Sequence, residues 1–422
     1  MMTIGLDIGT TSLCALLLDC ETGGVVSVLT RPNTGAAVQD PAAILAACLE
    51  MCGALRQKGR IGGLGISGQM HGGLYLDEQG GPLSPLYTWQ YGGDARAKTL
   101  SRISGYPMAR GYGLSTIWQH KEEGALPAGA RSFCTIGDYV AMALCGEYAP
   151  RMHASLAQSM GMFDMAAGLF DEAALRAAGI PAALLPELVA EGPLGTWDGI
   201  PVFCAVGDNQ AAVFGTLGGN AGALVNIGTG AQVSVCGQNA PTEARPYLYG
   251  RTLYVGAALC GGRAFALLRD FFAASAAMMG LQPPADLYER MVEAALKAED
   301  EPPLAVDARF CGTREQPGLR GGVRGLGVDN FTPGSLARGL LAGIAEELAP
   351  MLPPDFQGEL VGGGNALRKN PLLRAILEER LDRPLRLTRC PEEAAFGAAL
   401  LGALAGGVFA DMAAAGQLVQ YE

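Results

Sequence analysis

The chain has 422 residues, with 30 Lys and Arg against 41 Asp and Glu, and a formal net charge of −11. Its length predicts two or three domains. Because 49% of the residues are apolar and only 17% are charged, the composition excludes a disordered chain. The acidic balance, without a run of Lys or Arg, also excludes a general nucleic-acid binder.

The beginning of the chain does not resemble a targeting segment. It has no basic region before Arg31, and Asp7 interrupts its apolar stretch, so we expect neither a secretory signal nor, in the absence of a long apolar run, a membrane span. The 11 cysteines are scattered and never spaced C-x-x-C, which favours free thiols in a reducing compartment. We therefore expect a cytoplasmic protein.

The first residues predict an α/β domain. Residues 3–8 and 13–18 are typical of a β-hairpin, and residues 25–29 of a third strand. Asp40-Pro41 suits the start of a helix, and residues 61–66 return as a strand. This order builds a mixed sheet.

A similar turn occurs twice in the chain. The segment from Ile8 to Ser12 leads into an apolar strand, and so does the segment from Ile227 to Ala231, 219 residues later. Chance would explain the tripeptide alone, but the strand context predicts two related halves facing each other across a cleft. We expect the boundary near residues 218–220, with helices around 336–348, 371–381 and 392–404 in the second half.

The first of these turns combines a carboxylate with small hydroxyl residues. Backbone N–H groups in a tight turn can approach phosphate oxygens, and Asp7 can hold Mg²⁺ through water. An ordinary hairpin, with Thr and Ser satisfying the turn, explains the same residues. The GxxxxGK[ST] pattern is absent, which excludes the P-loop class.

Asp208 is the only charged residue between Gly199 and Thr242. It follows an apolar strand at residues 202–206 and precedes a short helical run, a position where α/β proteins place ligand sites. Asp208 can cap a helix beginning at Asn209 or accept a proton as a general base, and one residue can do both.

Gln69, Met70 and His71 follow the strand at 61–66 and offer donors and acceptors for a polyhydroxylated ligand. A buried, satisfied histidine is the alternative for His71. Residues 63–68 match GxGxxG formally, but the glycines begin within a strand, so we reject a dinucleotide site.

Two further segments are ambiguous. Trp89 can be a platform for a sugar ring, with Asp94 and Arg96 binding the sugar's hydroxyls. Alternatively, Trp89 is a core residue, and Asp94 and Arg96 form a surface salt bridge. Val361 to Asn365 lies between a strand and a helix, where its glycines can admit adenine or ribose against the backbone or simply form a turn.

The order of these motifs resembles that of the FGGY carbohydrate kinases over essentially the whole chain. The motifs are Asp-Ile-Gly-Thr-Thr, Gly-Gln-Met-His-Gly, Thr-Trp-Gln, Gly-Asp-Asn-Gln-Ala-Ala, Ile-Gly-Thr-Gly and Gly-Gly-Gly-Asn. Within the family, residues 87–90, 135–146 and 153–163 resemble the sedoheptulokinases, whereas the Gln-Met-His-Gly element is shared with xylulokinases.

The resemblance implies two ribonuclease-H-like α/β domains of the actin, sugar-kinase and chaperone architecture, with a cleft between them. Residues 1–218 would bind the sugar and carry the base, and residues 219–422 would bind the nucleotide. The implied roles are general base for Asp208; metal association for Asp7; phosphate binding for Gly9, Thr10, Thr11, Ser12, Gly228, Thr229 and Gly230; adenosine binding for Gly363, Gly364 and Asn365; and sugar contact for Gln69, Met70, His71, Trp89 and Asp138.

The implied reaction transfers the γ-phosphoryl group of ATP, with Mg²⁺, to a terminal hydroxyl of a ketose, with sedoheptulose as first choice. Xylulose, ribulose or a polyol is the alternative acceptor, and a non-catalytic sugar- or nucleotide-binding regulator is the alternative from another class. We expect no nucleic-acid or membrane partner, and a monomer or homodimer. Asp94 and Arg96 lie further after the tryptophan than the family's Asp-x-Arg pair, which leaves their sugar contacts open, and Arg314 resembles a family Gly-x-Arg element of unspecified role.

Overall fold

The computed structural model describes residues 1–313 and 316–422, so Arg314 lies outside the described residues. Contacts divide the chain into two compact units. The first unit contains Met1–Asn220, Arg245–Thr252 and Glu392–Gln420, and the second contains Ala221–Ala244, Leu253–Pro391 and Tyr421–Glu422. The first segment of the first unit ends at Asn220, and the sequence predicts a boundary near residues 218–220. Residues 245–252 and 392–420, which sequence position assigns to the second half, pack instead with the first unit.

The strands are numbered in chain order through both units. They are β1 (Met2–Ile8), β2 (Ser12–Asp19), β3 (Val25–Pro32), β4 (Val38–Gln39), β5 (Ile61–Gly68), β6 (Leu74–Leu76), β7 (Leu86–Tyr87), β8 (Ser132–Cys134), β9 (Arg151–His153), β10 (Phe163–Asp164), β11 (Leu169–Phe170), β12 (Glu187–Val189), β13 (Pro193–Trp197), β14 (Ile200–Phe203), β15 (Val206–Gly207), β16 (Gly222–Ile227), β17 (Ala231–Cys236), β18 (Glu243–Pro246), β19 (Thr252–Ala258), β20 (Ala305–Asp307), β21 (Gly322–Arg324), β22 (Glu359–Gly363) and β23 (Leu385–Leu387).

The helices are numbered in the same way. They are α1 (Pro41–Arg56), α2 (Asp94–Ser104), α3 (Gly113–Glu122), α4 (Ile136–Leu144), α5 (Ala154–Met160), α6 (Glu172–Ala178), α7 (Asp208–Leu217), α8 (Gly262–Met278), α9 (Leu287–Lys297), α10 (Pro333–Leu348), α11 (Asn365–Lys369), α12 (Pro371–Leu381), α13 (Glu393–Ala405) and α14 (Met412–Gly416), with short 3-10 turns at Ala182–Leu184, Leu248–Gly250 and Ala349–Met351.

The first unit is built on a mixed sheet with the strand order β13-β14-β5-β1-β2-β3, and β15 extends it by pairing with β5. Strands β1, β2 and β3 pair antiparallel, whereas β5 runs parallel to β1. Central strands β1 and β2 are buried along most of their length, which explains their nearly continuous apolar runs. Helix α1 begins as the sequence predicts, with the Asp40 carboxylate accepting from the backbone N–H groups of Ala42 and Ala43.

The second unit repeats this arrangement. Its main sheet has the order β18-β19-β17-β16-β22-β23. Strands β16, β17 and β19 pair antiparallel, and β22 pairs parallel with β16, as β5 does with β1. Each unit therefore has three antiparallel strands followed by a parallel one, and the two Ile-Gly-Thr turns occupy equivalent hairpins in the two sheets. The α/β fold with two related halves, predicted from the sequence, is confirmed.

Glycine allows helix α13 to lie directly on the first sheet. A Cβ atom at Gly5 would lie 1.9 Å from the carbonyl oxygen of Ala395, and one at Gly65 would lie 1.9 Å from that of Ala398. On the helix, a Cβ at Gly402 would lie 2.7 Å from the backbone nitrogen of Gly65. Backbone therefore packs against backbone, which accounts for part of the high glycine content.

All 11 cysteines are free thiols, as predicted, and most of them are buried. Within residues 1–313 and 316–422, none of the helices combines the length and the apolar character that crossing a membrane requires.

Candidate active site

Asp208 lies at the first position of helix α7, directly after strand β15. The N-cap of the helix is Gly207, and no side chain caps it, so Asp208 does not have the capping role that sequence reasoning left open. The Asp208 Oδ1 atom accepts a hydrogen bond of 2.7 Å from the backbone N–H of Asn209. The residue as a whole is partly exposed.

Burial raises the pKa of Asp208 to about 6. The Asn209 N–H and the positive charge of Arg245 favour the ionised form and oppose this effect. Arg245 is itself buried, and it belongs to the segment Arg245–Thr252 that packs with the first unit. Asp208 is consequently ionised near neutral pH, and its pKa is close enough to 7 for it to accept a proton effectively.

Asp7 lies on the same sheet, opposite Ser67 in the parallel pairing of β1 and β5. The Ser67 hydroxyl donates a short hydrogen bond to Asp7 Oδ1. The pKa of Asp7 is raised to about 7, mainly by burial and to a smaller extent by the negative charges of Asp208 and Glu392, while the Ser67 hydrogen bond opposes the rise. Asp208 and Glu392 are thus close enough to Asp7 for their negative charges to act on it, which is an environment that a bound cation would stabilise.

The first phosphate-turn candidate is a three-residue loop between β1 and β2. The Gly9 N–H donates to the Ser12 carbonyl at 3.0 Å, and the loop exposes Thr11. The Thr10 hydroxyl donates to Gln69 Oε1 at 3.1 Å and accepts from Trp89 Nε1 at 3.0 Å. Trp89 is 45% exposed, so the alternative of a core tryptophan is wrong.

Two polar residues that sequence reasoning missed support this turn. Gln39 Nε2 donates to the Thr10 carbonyl at 2.7 Å, and Gln39 Oε1 accepts from Gln69 Nε2 at 2.9 Å. Asn33 Nδ2 donates to the Gly9 carbonyl at 2.9 Å. These amides join the turn to Gln69. The only local signal was a pair of amide residues beside the short strand β4, which is too weak to predict a network.

Met70 packs close to Asp208, and His71 is held by Ser159 and Tyr112. A Cβ at Gly207 would lie 2.8 Å from Met70 Sδ, so Met70 packs against the residue that precedes Asp208. His71 has a left-handed backbone (φ +78°), and its Nδ1–H donates to the Ser159 carbonyl at 2.8 Å. Its ring stacks on Tyr112 at 4.7 Å. His71 is only half-buried, so these contacts orient the ring without removing it from solvent.

Asp138, a predicted sugar contact, is fully buried in the structure. Its Oδ2 accepts from the Thr135 N–H at 3.1 Å and from the Thr135 hydroxyl at 2.7 Å, which forms a capping box for helix α4. Burial raises the pKa of Asp138 to about 7, although the Thr135 hydrogen bonds lower it. Its Oδ1 has no hydrogen-bond partner.

Asp94 and Arg96 do not pair with each other. Arg96 forms an ion pair with Glu123, and Asp94 lies 3.7 Å from Arg110. Both residues lie in the first turn of helix α2.

In the second unit, the turn after β16 and the turn after β22 lie side by side, because Asn226 pairs with Gly363 in register. Gly228 and Thr229 are exposed, and a Cβ at Gly228 would meet no atom within 4 Å. The space above this turn is therefore open to a ligand.

The first residues of helix α8 form hydrogen bonds with the turn at residues 228–230. The N–H groups of Gly262 and Arg263 donate to the carbonyls of Gly228 and Thr229, at 2.9 and 3.1 Å. These bonds fix the turn in place. Gly230, at the end of the turn, would place a Cβ 3.0 Å from the Ala258 carbonyl.

Gly364 needs to be glycine for two reasons. Its φ is +83°, and a Cβ would lie 2.5 Å from Asn226 Oδ1 and 2.6 Å from the Ile227 carbonyl. Asn365, the next residue, is exposed at the start of helix α11. The structure thus brings Gly228, Thr229, Gly230, Gly363, Gly364 and Asn365 to one edge of the second sheet.

Among the described residues, no three His, Cys, Asp or Glu side chains form a metal-binding group. Mg²⁺ is commonly held by one or two carboxylates together with substrate phosphates, so a protein cage is not needed for it.

The chain is similar to proteins of known function. Residues 2–215 match the N-terminal domain of the FGGY family of carbohydrate kinases. The chain is 31% identical to sedoheptulokinase of Mus musculus, over 95% of this chain and 97% of that protein, and 29% identical to sedoheptulokinase of Homo sapiens with the same coverage. Its fold is similar to that of a xylulose kinase from Rhodospirillum rubrum (TM-score 0.83, 22% identity, covering 100% of this chain and 93% of that one).

The chain belongs to the FGGY family of carbohydrate kinases. It is accordingly a sugar phosphotransferase that uses ATP, and the family resemblance noted in the sequence is confirmed.

Proposed function

We propose that this kinase phosphorylates a ketose at its terminal primary hydroxyl, with sedoheptulose as the preferred acceptor and sedoheptulose 7-phosphate as the product. The observation that carries the proposal is Asp208: a partly exposed residue at the start of a helix, directly after Gly207, which packs against Met70, and close enough to Asp7 for their charges to interact. Similarity to two sedoheptulokinases over 95% of the chain supports the choice of sugar. A pentulose such as xylulose is the second candidate, because the Gln-Met-His-Gly segment occurs here as in xylulokinases.

The acceptor side of the proposed site lies in the first unit. Gln69, Met70, His71 and Trp89 would contact the sugar, with the exposed Trp89 ring offering an apolar face and the amides offering hydrogen bonds. Thr10 links Trp89 to Gln69, which holds the platform and the amide in a fixed relation. The fully buried Asp138 would support this region through helix α4, and a direct sugar contact would require a movement that uncovers it.

The nucleotide side combines glycine turns with exposed hydroxyls. The turns at Gly9 to Ser12 and Gly228 to Gly230 would bind phosphate oxygens through backbone N–H groups and the Thr10, Thr11, Ser12 and Thr229 hydroxyls. Gly363, Gly364 and Asn365 would lie against the adenosine. A Cβ at Gly228 would meet no atom within 4 Å, so no protein atom blocks a ligand directly over this turn.

Asp7 fits a role at a divalent cation. Its carboxylate lies near two other negative groups, Asp208 and Glu392, and its raised pKa reflects their repulsion as well as burial. When bound, Mg²⁺ would reduce the negative charge on the phosphate oxygens. Asp7 would hold it, with Ser67 orienting the carboxylate through the hydrogen bond to Oδ1.

Asp208 then performs the acid–base step. Its ionised carboxylate accepts the proton of the acceptor hydroxyl as that oxygen bonds to the γ-phosphorus, and the bond between the γ-phosphorus and the bridging oxygen of ADP breaks. Arg245 favours the ionised form of Asp208, and the Asn209 N–H fixes one carboxylate oxygen. The other oxygen can face the acceptor.

An acceptor panel tests the choice of sugar. We expect ADP release with ATP and Mg²⁺ to be fastest, by kcat/KM, with sedoheptulose, and slower with xylulose, ribulose, gluconate and glycerol. Because the phosphate-binding residues are common to all acceptors, KM for ATP should vary little across the panel. A preference of tenfold or more for a pentulose, measured in the same coupled assay, would replace sedoheptulose with that sugar.

The pH profile tests the base. Because the pKa of Asp208 is about 6, and only the ionised form accepts a proton, kcat/KM for the ketose should fall about tenfold or more per pH unit below pH 6. The direction follows from the chemistry: protonation at low pH removes the base. A kcat/KM that stays constant down to pH 5, in protein that remains folded, would mean that Asp208 does not act as a base.

A further inference from the structure

A chain of buried hydrogen bonds begins at the residue before Asp208. The Gly207 N–H donates to the Ser155 hydroxyl oxygen at 3.1 Å. Ser155 Oγ lies 2.8 Å from His153 Nδ1, and His153 Nε2 lies 3.1 Å from Glu191 Oε1. Ser155 and His153 are almost completely buried, so solvent does not compete with these bonds.

The backbone N–H donors fix the direction of each hydrogen bond in the series that joins Gly207, Ser155, His153 and Glu191. The Ser155 backbone N–H donates to His153 Nδ1 at 3.2 Å, so Nδ1 is an acceptor and carries no hydrogen. The ring hydrogen is therefore on Nε2, and it donates to Glu191. The Ser155 hydroxyl donates to Nδ1 while it accepts from Gly207. A Ser–His–Glu series often marks a nucleophile, but Ser155 is fully buried and already bonded on both sides, which excludes that role here.

Glu191 also holds a second segment. The Tyr249 N–H donates a short hydrogen bond to the same Oε1 atom that accepts from His153. Tyr249 has a left-handed backbone (φ +54°), a conformation that a residue other than glycine keeps only where its surroundings fix it. Tyr249 belongs to the segment Arg245–Thr252, which packs with the first unit.

That segment carries the cation that faces the base. Arg245 is the positive charge that favours ionised Asp208. The carbonyl of Pro246, the next residue, accepts from Gln210 Nε2 at 3.0 Å, and Gln210 lies in the first turn of helix α7, like Asp208. Helix α7 and the segment that carries Arg245 are thus bonded to each other. Each is also bonded to the buried series, through Gly207 to Ser155 and through Tyr249 to Glu191.

We propose that Ser155, His153 and Glu191 position the base: through Gly207 they fix the backbone that carries Asp208, and through Tyr249 they fix the segment that carries Arg245. They are positioning residues, because none of them contacts the carboxylate of Asp208 in the structure. This inference rests on the proposed role of Asp208.

The expected consequence is a loss of turnover without a loss of binding. Without Glu191, His153 loses its orienting acceptor and Tyr249 loses the partner that holds its strained backbone. Asp208 and Arg245 then sample more positions, and a displacement of about 1 Å at a reacting group can cost on the order of 100-fold in rate. KM depends on the sugar and nucleotide contacts, which these residues do not make.

The test compares four variants of the full-length protein with ATP, Mg²⁺ and sedoheptulose. Glu191→Ala removes the shared acceptor, and His153→Asn keeps a good helix N-cap for α5 but does not reach Glu191. Glu191→Gln is the conservative variant, since its Oε1 can still accept from both His153 and Tyr249. Tyr106→Phe is the matched control: it removes a partly buried hydrogen bond of 3.0 Å to Asp171, and neither residue is hydrogen-bonded to Ser155, His153 or Glu191. Tm and the folded fraction are measured for each.

We expect Glu191→Ala and His153→Asn to lower kcat per folded molecule about tenfold or more, with KM for ATP and for sedoheptulose within about twofold of the unmodified protein. Glu191→Gln should keep kcat within about twofold, and Tyr106→Phe should lower Tm without changing kcat.

Three results overturn the inference. They are an unchanged kcat in both Glu191→Ala and His153→Asn, a rise in KM at constant kcat, and a loss in Glu191→Gln equal to that in Glu191→Ala, which would make charge rather than hydrogen bonding the cause. Failure of the proposed function is distinguishable, because the unmodified protein would then show no acceptor-dependent turnover, and the inference would fall with it.

Discussion

Replacement of Asp208 by asparagine is expected to lower kcat about a thousandfold, while ATP and sedoheptulose still bind. Asparagine has nearly the same shape, and its Oδ1 can still accept from the Asn209 N–H, but it cannot take up the proton of the acceptor hydroxyl. KM for ATP and the affinity for the sugar should therefore change little. Steady-state kinetics, together with calorimetric titration of each ligand into the variant, checks both parts of the expectation.

Asp40→Asn provides the control for this variant. Asp40 is also replaced by its amide, but it caps helix α1 and asparagine caps helices about as well, so kcat should stay at the level of the unmodified protein. Near-normal turnover in Asp208→Asn would remove Asp208 from its assigned role. Loss of ligand binding in that variant would instead assign Asp208 to the binding of substrate.

The second large effect concerns stability. Gly65→Ala is expected to lower the free energy of unfolding by about 3 kcal/mol or more, because the added Cβ would lie 1.9 Å from the Ala398 carbonyl oxygen and 2.8 Å from the Gly402 nitrogen. Both neighbours are backbone atoms of helix α13, so the overlap cannot be relieved by rotating a side chain. Helix and sheet would have to separate, which exposes buried apolar surface. Urea denaturation of the purified variant measures the loss.

Gly53→Ala is the matched control. Gly53 lies inside helix α1, and a Cβ there would meet no atom within 4 Å. Alanine favours the helix over glycine by about 1 kcal/mol, so this variant should be more stable than the unmodified protein. If Gly65→Ala were as stable as Gly53→Ala, the close backbone packing of α13 on β5 would be contradicted.

Local sequence signals located the elements of the first sheet well. Asp40-Pro41 predicted the start of helix α1 at the correct residue, because capping depends only on neighbouring residues. The repeated Ile-Gly-Thr turns predicted the repeated sheet, because each turn joins two central strands of equivalent pairing. The alternation of turns and apolar runs was therefore sufficient for the fold class.

Long-range packing could not be predicted in the same way. Helix α13 was assigned to the second half by its position in the sequence, but it lies on β1 and β5 of the first unit, where Gly5 and Gly65 leave room for it. The glycine content indicated close approaches, but composition does not identify the partners. Arg245 was missed for a similar reason: nothing near it in the sequence indicates that its segment returns to Asp208.

In the candidate site, too, local sequence signals were predictive and long-range contacts were not. Asp7 and Asp208 were selected from their places at strand ends, and the structure brings them within electrostatic reach of each other. Gln39 bonds Thr10 and Gln69, which are 29 and 30 residues away, and His153 bonds Glu191, which is 38 residues away, so no local pattern identifies them. Asp138 was predicted from a family motif, whereas its part in the capping box of helix α4 is evident only from the structure.

The proposed reaction is tested most directly by determining which carbon of the sugar carries the phosphate. The protein is incubated with ATP, Mg²⁺ and sedoheptulose, and the product is analysed by mass spectrometry and by ³¹P–¹H correlation NMR. We expect a sugar monophosphate in which phosphorus couples to the protons of the terminal C7 methylene, formed in equal amount to ADP and formed about a thousandfold more slowly by Asp208→Asn. ADP formed at the same rate without the sugar, or a sugar product formed equally well by the Asp208→Asn variant, would contradict the proposal.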